Sequence, residues 1–176
     1  EAIDRLRGEF SNFRSRTNFL VGHVSKSLPD LTLHDVSHLD ALWRVGSLLA
    51  GENYPINPME AFVLGGSILL HDAALCIEAY EGGIDGLRSE RVWKDTFALE
   101  MERTPGRKIE EIESDCDFSA MRALHANRAG ELAQYAWKHP KDGSSFYLIS
   151  DPTLRNHVGK FIGKIATSHH WSIEQV

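Results

Sequence analysis

The amino-acid sequence predicts an all-α protein, folded as a compact helical bundle. Apolar residues recur at helical spacing through most of the 176 residues. Residues that favour helix starts and stops flank these stretches, and no internal repeat or β-hairpin pattern interrupts them. Hydrophobic residues make up 42% of the chain and charged residues 25%, which is typical of a globular domain. We therefore expect one domain over residues 1–176.

The first half of the chain predicts an N-terminal helix followed by two core helices. Residues 1–30 form the N-terminal part. A second helix begins after Thr32, a candidate N-cap, and stops at Gly51. Asn57 and Pro58 begin a third helix, expected over 59–77 and apolar on nearly every side. The predicted apolar stripe of the second helix comprises Leu39, Leu42, Val45, Leu48 and Leu49.

The second half predicts three further helices separated by exposed connections. A loop is expected up to residue 88, and then a helix that contains Val92, Trp93, Phe97 and Leu99. The acidic stretch 104–117 is rich in helix breakers and predicts a connection or lid. Helices are then expected over 119–137 and 152–169, so that the core of the bundle spans residues 31–171.

Charge and composition exclude several classes of partner. The net charge of −6 argues against a broad surface for extended nucleic acid, although a small phosphate ligand remains compatible with it. No apolar run reaches the roughly 20 residues of a membrane span, and the first residues do not show a signal-peptide pattern. Cys76 and Cys116 fit no zinc motif, and reduced thiols in a cytoplasmic protein are the expectation. Because the chain starts at Glu1, we expect it to belong to a longer protein with other domains.

Histidines at unusual places predict a metal site. His34 and His38 are one helical turn apart, and His71 and Asp72 lie in the most apolar predicted helix. A carboxylate at such a place is costly unless it is paired or binds a metal. Imidazoles and one carboxylate suit zinc, iron, manganese or nickel. Further histidines that could join the site are His125, His169 and His170.

Each of these residues also has an ordinary interpretation. A lone histidine such as His125 is more often packed or exposed than bound to metal. Asp72 could instead pair with Arg44 or Arg128. Surface or capping roles are expected for His23, His139 and His157.

The order His, His-Asp, His, His-His resembles the HD superfamily of metal-dependent phosphohydrolases over about residues 31–171. The resemblance implies one or two divalent transition-metal ions, the first of them held by His38, His71 and Asp72. It also implies that Asp72 bridges to a second ion held by His125, His169 and His170. The catalytic residues it implies are Asp72 and His34, with His34 as the general acid and a metal-bound hydroxide as the nucleophile.

Three departures from the family pattern affect this interpretation. Relatives carry a further Asp ligand well after the His-His pair, so that ligand is expected beyond Val176 or is lost, and Asp151 is a poor substitute. No Gly-Tyr-Pro follows His170, which argues against the cyclic di-GMP branch. No lysine or glycine closely follows Asp72. Phosphate contacts would then come from arginines such as Arg44, Arg88, Arg91 or Arg128, each of which is more simply explained as a surface or ion-pairing residue.

The leading functional hypothesis is metal-dependent hydrolysis of a phosphoester in a nucleotide or cyclic nucleotide. The alternative is a catalytically degenerate module that binds a nucleotide or a protein partner within a larger signalling or defence protein. A helical bundle with incidental histidines is the third hypothesis, and it predicts that no metal is bound. Trp43, Trp93 and Trp171 could stack on a base, although packing is the default for each.

Overall fold

A computed structural model describes residues 1–28, 35–138 and 142–175. Within these ranges the chain forms eight α-helices and a small antiparallel sheet. The helices are α1 (Ala2–Val21), α2 (Val24–Ser27), α3 (Val36–Ala50), α4 (Pro58–Leu70), α5 (Ile84–Ser89), α6 (Arg91–Arg103), α7 (Ile109–Leu132) and α8 (Pro152–Thr167). The prediction of a compact all-α bundle is confirmed.

The helix α4 lies at the centre of the bundle, against α1, α3, α7 and α8. Its start is fixed by Asn57, whose side chain accepts hydrogen bonds from the backbone N–H groups of Met59 and Glu60, while the Glu60 carboxylate accepts the N–H of Asn57. Pro58 occupies the first turn, where a missing N–H costs nothing. The predicted start of this helix is therefore confirmed.

The end of α4 differs from the prediction of a helix over 59–77. The N–H of His71 still donates to the carbonyl of Ser67, four residues back. The next bonds span only three residues, from Ala73 N–H to Leu70 O and from Leu75 N–H to Asp72 O. These tighter turns end the helix at Leu70, so the His-Asp pair lies at its C-terminal end rather than inside it.

Two close-packed glycines join α7 to α8. A Cβ atom added to Gly163 would lie 2.0 Å from the carbonyl oxygen of Gly130, so no other residue fits there without moving a helix. Beside this contact, the Thr167 hydroxyl donates to the carbonyl of Ala126 at 3.1 Å. The crossing brings the middle of α7, which carries His125, close to the end of α8.

The helix α3 buries much less than its sequence predicts. Of its residues only Leu39 is buried, whereas Val45 is 52% exposed, Leu48 81% and Leu49 85%. Its N-cap is Asp35, whose carboxylate accepts the N–H groups of Ser37 and His38. The predicted cap Thr32 lies outside the described residues. The predicted apolar stripe lies on this helix, but beyond Leu39 it is not buried in the core.

The predicted connection over 104–117 is mostly helical, because α7 begins at Ile109. Glu110 and Glu111 lie in its first turn, where acidic side chains interact favourably with the positive end of the helix dipole. Ile112 and Cys116 are buried on its inner face. The acidic composition therefore marks a helix start in this stretch, and not a lid.

A short hairpin follows α7, although no hairpin was predicted. Strand β1 (Ala136–Lys138) pairs antiparallel with β2 (Ser145–Tyr147), with Trp137 opposite Phe146. Three-residue strands are too short to show an alternating pattern, and the expected helix over 119–137 included Trp137. The hairpin replaces the last part of that helix.

Both cysteines are buried free thiols. The expected reduced state of Cys76 and Cys116 agrees with this arrangement. In the part of the chain that the structure describes, none of the helices combines the length and apolarity needed to cross a membrane.

Candidate metal centre

Three helix ends and the middle of a fourth helix converge on one site. His38 lies in the first turn of α3, and Asp72 follows the end of α4. His125 lies in the second half of α7, and a 3₁₀ turn over Ser168–His170 follows α8. Two groups of candidate metal-binding residues result, each with donor atoms within 4.8 Å of one another: His38, His71 and Asp72, and His125, His169 and His170. These are the six predicted metal ligands.

The Asp72 carboxylate lies between the two groups. Its Oδ2 atom is 2.8 Å from His71 Nε2 and 3.9 Å from His38 Nε2. Its Oδ1 atom is 3.5 Å from His125 Nε2 and 3.8 Å from His169 Nε2. One oxygen therefore faces each group, which is the arrangement that a carboxylate needs to bridge two ions.

The imidazole rings are oriented by backbone carbonyls. In His71, the Nδ1–H group donates to Ile68 O at 2.7 Å, and in His125 it donates to Arg122 O at 2.7 Å. The Nδ1–H group of His169 donates to Ala166 O. Each acceptor lies three residues before its histidine. With the proton on Nδ1, the Nε2 atoms of His125 and His169 present lone pairs to the site, as metal ligands must. The Nε2 atom of His71 lies at hydrogen-bond distance from Asp72 and would have to lose its proton to bind a metal.

The distances at the centre fit a bound cation. His125 Nε2 and His169 Nε2 are 3.2 Å apart, close enough to share a proton or to bind one cation together. Two ligand atoms on one zinc ion, each at 2.0–2.1 Å, lie about 2.8–3.4 Å apart at bond angles of 90–109°. The donor set and its spacing therefore fit a transition-metal ion, and these residues could hold one.

Electrostatics differ between the two sides of Asp72. Burial lowers the pKa of His71, but the hydrogen bond and the charge of Asp72 outweigh it, so the pKa is raised overall. Burial lowers the pKa of His125 and of His169, with a further contribution from neighbouring histidines. Neutral imidazoles are the form that binds metal, so burial favours binding by His125 and His169.

The site is open on one side. His125 is buried, whereas His169 and His170 are exposed. Trp171 follows directly, and its partly exposed ring lies near the Lys164 ammonium, 6.0 Å away. Solvent and a small molecule can therefore approach the centre from the end of α8.

The other histidines and the aspartate discussed from the sequence are not part of the two metal-binding groups. The candidate general acid His34 lies outside the described residues, as does His139. His23 and His157 donate to carbonyls four residues back, on Phe19 and Thr153, in keeping with the surface and capping roles expected for them. The carboxylate of Asp151 caps α8 and pairs with Arg5, so its described contacts lie away from the metal-binding groups.

Most of the candidate phosphate-binding arginines form ion pairs. Arg88 pairs with Glu113 and Asp117. Arg91 pairs with Asp95, an exposed carboxylate on its own helix. The remaining pairs are Arg128 with Glu90 and with Glu131.

Sequence reasoning did not identify the residues that position the second group. Gly130 and Gly163 allow α7 and α8 to touch, and Thr167 bonds the carbonyl next to His125. Small residues on two helices were the available signal, but only the three-dimensional crossing shows that they meet.

Comparison with family profiles matches residues 28–176 to the family described as HD-CE. Neither the curated proteins nor the solved structures give a significant match. The match covers most of the chain, including all six residues at the centre, and confirms the HD-type domain that the histidine pattern predicts. The chain therefore belongs to the HD-CE family.

Proposed function

We propose that this protein is a metal-dependent phosphohydrolase that cleaves a phosphoester in a nucleotide or cyclic nucleotide. The observation that carries the proposal is the position of Asp72, with one carboxylate oxygen toward each histidine group. A bridging carboxylate between two imidazole-rich groups is the donor arrangement used by two-metal hydrolases of phosphoesters. The HD-CE match supports the same class of chemistry.

The first ion would be held by His38, His71 and Asp72, and the second by Asp72 with His125, His169 and His170. When bound, the ions would activate the attacking water and neutralise the charge that develops on the phosphoryl group. Imidazole and carboxylate donors suit zinc, iron, manganese and nickel.

Two features of the centre favour metal binding. The carbonyls of Ile68, Arg122 and Ala166 hold three imidazoles with Nε2 pointing inward, so little reorganisation is needed on metal binding. The largely buried Asp72, whose side chain is 13% exposed, supplies the negative charge in a weakly solvated place.

Substrate contacts are proposed at the open side of the centre. The ring of Trp171 offers a face on which a base could stack, adjacent to His170. We assign His34, four residues before His38, as the general acid that donates a proton to the leaving oxygen. A nucleotide phosphoester would thus lie between an aromatic ring and the metal-binding residues.

The test is hydrolysis after separate reconstitution with Mn²⁺, Zn²⁺, Ni²⁺ and Fe²⁺. Bis(p-nitrophenyl) phosphate, p-nitrophenyl phosphate and a panel of mononucleotides and 3′,5′-cyclic nucleotides separate diesterase from monoesterase activity. We expect kcat/KM to fall at least about 100-fold in Asp72→Asn. The matched control Asp95→Asn, an exposed carboxylate on α6, leaves kcat/KM unchanged.

A binding module gives a different result. It would bind metal and a nucleotide, measured by isothermal titration, but release no product with any of the four metals. That outcome would replace hydrolysis by the binding function. An His34→Ala variant with undiminished kcat/KM would remove the general-acid role alone.

A further inference from the structure

The helix α3 carries His38 of the first metal-binding group but buries little of itself against the rest of the domain. Of its residues only Leu39 is buried. A cavity of about 500 Å³ lies between α1, α3 and the start of α4, with Phe10, Trp43 and Phe62 in its wall. Because part of α3 faces this cavity and not packed side chains, core packing alone does little to fix the position of His38.

The first turn of α3 directs three consecutive side chains to three different places. Successive residues of a helix are about 100° apart around its axis. His38 faces Asp72, with 3.9 Å between its Nε2 atom and the Oδ2 atom of that carboxylate. Leu39 enters the core, and Asp40 faces α1. A contact at Asp40 therefore restrains both the rotation and the position of the turn that carries His38.

Arg14 on α1 holds Asp40 with two parallel hydrogen bonds. Its Nε–H group donates to Asp40 Oδ1 at 2.9 Å, and its Nη2–H group donates to Oδ2. A planar guanidinium that bonds both oxygens of a carboxylate fixes orientation as well as distance. The two side chains are 41% and 42% exposed, so the pair contributes little to the stability of the whole domain. Its main effect is a geometric restraint on the turn that contains His38.

We propose that Arg14 is a positioning residue for the first metal ion, acting through Asp40 to hold His38 toward Asp72. The inference rests on the ion that the proposed function places in the first group. It also assigns a role to α1, which precedes the segment 28–176 matched to the HD-CE family. A helix outside the matched segment thus sets the geometry of a site within it.

Isothermal titration of the full chain with Mn²⁺ tests this role, and the ion that binds more weakly in His38→Ala identifies the first one. We expect Arg14→Gln and Asp40→Asn each to raise the dissociation constant of the first ion about fivefold and to leave that of the second unchanged. The double variant should bind no more weakly than either single variant, because both remove the same contact. Arg14→Lys keeps the charge but not the two parallel bonds, so it should weaken the first ion nearly as much.

The matched control is Arg5→Gln, which removes an arginine of α1 that pairs with Asp151 at the start of α8. Because this pair does not touch α3, both metal affinities should stay at the wild-type values. Calorimetry should show similarly small changes in Tm for Arg5→Gln and Arg14→Gln, since both remove one arginine ion pair of the same helix. A difference in first-ion affinity between them then reports on geometry and not on stability.

Three results overturn the positioning role: an Arg14→Gln protein with wild-type affinity for the first ion, additive weakening in the double variant, or equal weakening in Arg5→Gln. A wild type that binds no ion in the first group overturns it as well. Hydrolysis is not a readout in this experiment. A chain that binds both ions and cleaves no phosphoester therefore loses the proposed function, while a weaker first ion in Arg14→Gln still supports the role of Arg14.

Discussion

The side chain of Asp72 is 13% exposed and has imidazole nitrogens at 2.8–3.9 Å around both of its oxygens. A carboxylate removed from water needs positive charge or hydrogen-bond donors close by. At His71 a proton can supply that charge, in keeping with its raised pKa. At His125 and His169 burial lowers the pKa, which favours the neutral imidazoles that can bind a metal ion.

Substitutions in the two groups should have separate effects. His38→Ala removes a donor from the first group, and His170→Ala removes one from the second. We expect each to lower the affinity for one ion roughly 10- to 100-fold or more and to leave the other ion bound. Metal titration followed by isothermal calorimetry measures this. If both variants lose both ions together, the centre does not consist of two distinguishable sites.

The buried thiol of Cys76 should be unreactive in the folded protein. Burial raises its pKa to about 12, so almost no thiolate exists at pH 8.5. Alkylation by iodoacetamide, followed by mass spectrometry, is expected to be more than about 100-fold slower in native than in denatured protein. Because the folded state holds this proton more tightly, stability should also fall as the pH rises from about 9 toward 12. Rapid labelling of native protein at Cys76 would contradict this environment.

The crossing of α7 and α8 should control the second group. In Gly163→Ala the new Cβ atom meets the Gly130 carbonyl, so the helices must separate. We expect a loss of stability of about 1–3 kcal/mol, which corresponds to roughly 2–12 °C in Tm. His125 lies on α7 and His169 follows α8. Separation of the two helices should therefore also lower the affinity for the second ion.

The matched control is Gly8→Ala in α1. No atom lies within 4 Å of a Cβ added to Gly8, and alanine favours the helix, so Tm should stay the same or rise. Differential scanning calorimetry and metal titration of both variants provide the comparison. A Gly163→Ala protein with wild-type Tm and metal affinity would show that the helices tolerate separation.

At the level of elements, the sequence predicted the start of α4 correctly but not its end. Asn57 and Pro58 placed the start of α4 because capping depends on local residues. Its end at Leu70 depends on tight turns among the buried residues that follow, which hydrophobicity cannot distinguish from more helix. The exposure of the apolar stripe through Leu48 could not be predicted for a related reason, because periodicity shows that a face is apolar but not what covers it.

At the scale of the whole molecule, the candidate centre connects parts of the chain that are far apart in sequence. Residue order suggested the six donors, because His71 and Asp72 stood out in an apolar stretch. Their distances could not be predicted, since they depend on how α3, α4, α7 and α8 pack. The position of Asp72 between the two groups is therefore a result of the fold.

Bound metal should stabilise the entire domain. Ions that bind only the folded state at 100 times their dissociation constant contribute about 2.7 kcal/mol per site. Removal of metal with EDTA should therefore lower Tm by roughly 5–11 °C per occupied site, and added metal should restore it. Calorimetry measures the shift, and Asp72→Ala should show little response to EDTA. Equal Tm values for stripped and reconstituted wild type would contradict metal binding by the folded centre.

Elemental analysis of purified protein tests the metal centre most directly, with wild type, Asp72→Ala and the control Asp95→Ala compared side by side. Because Asp72 faces both histidine groups, we predict one or two transition-metal ions per chain in wild type and in the control, and almost none in Asp72→Ala. If wild type contains no transition metal even after reconstitution, or if Asp72→Ala retains the full amount, the proposed centre is wrong.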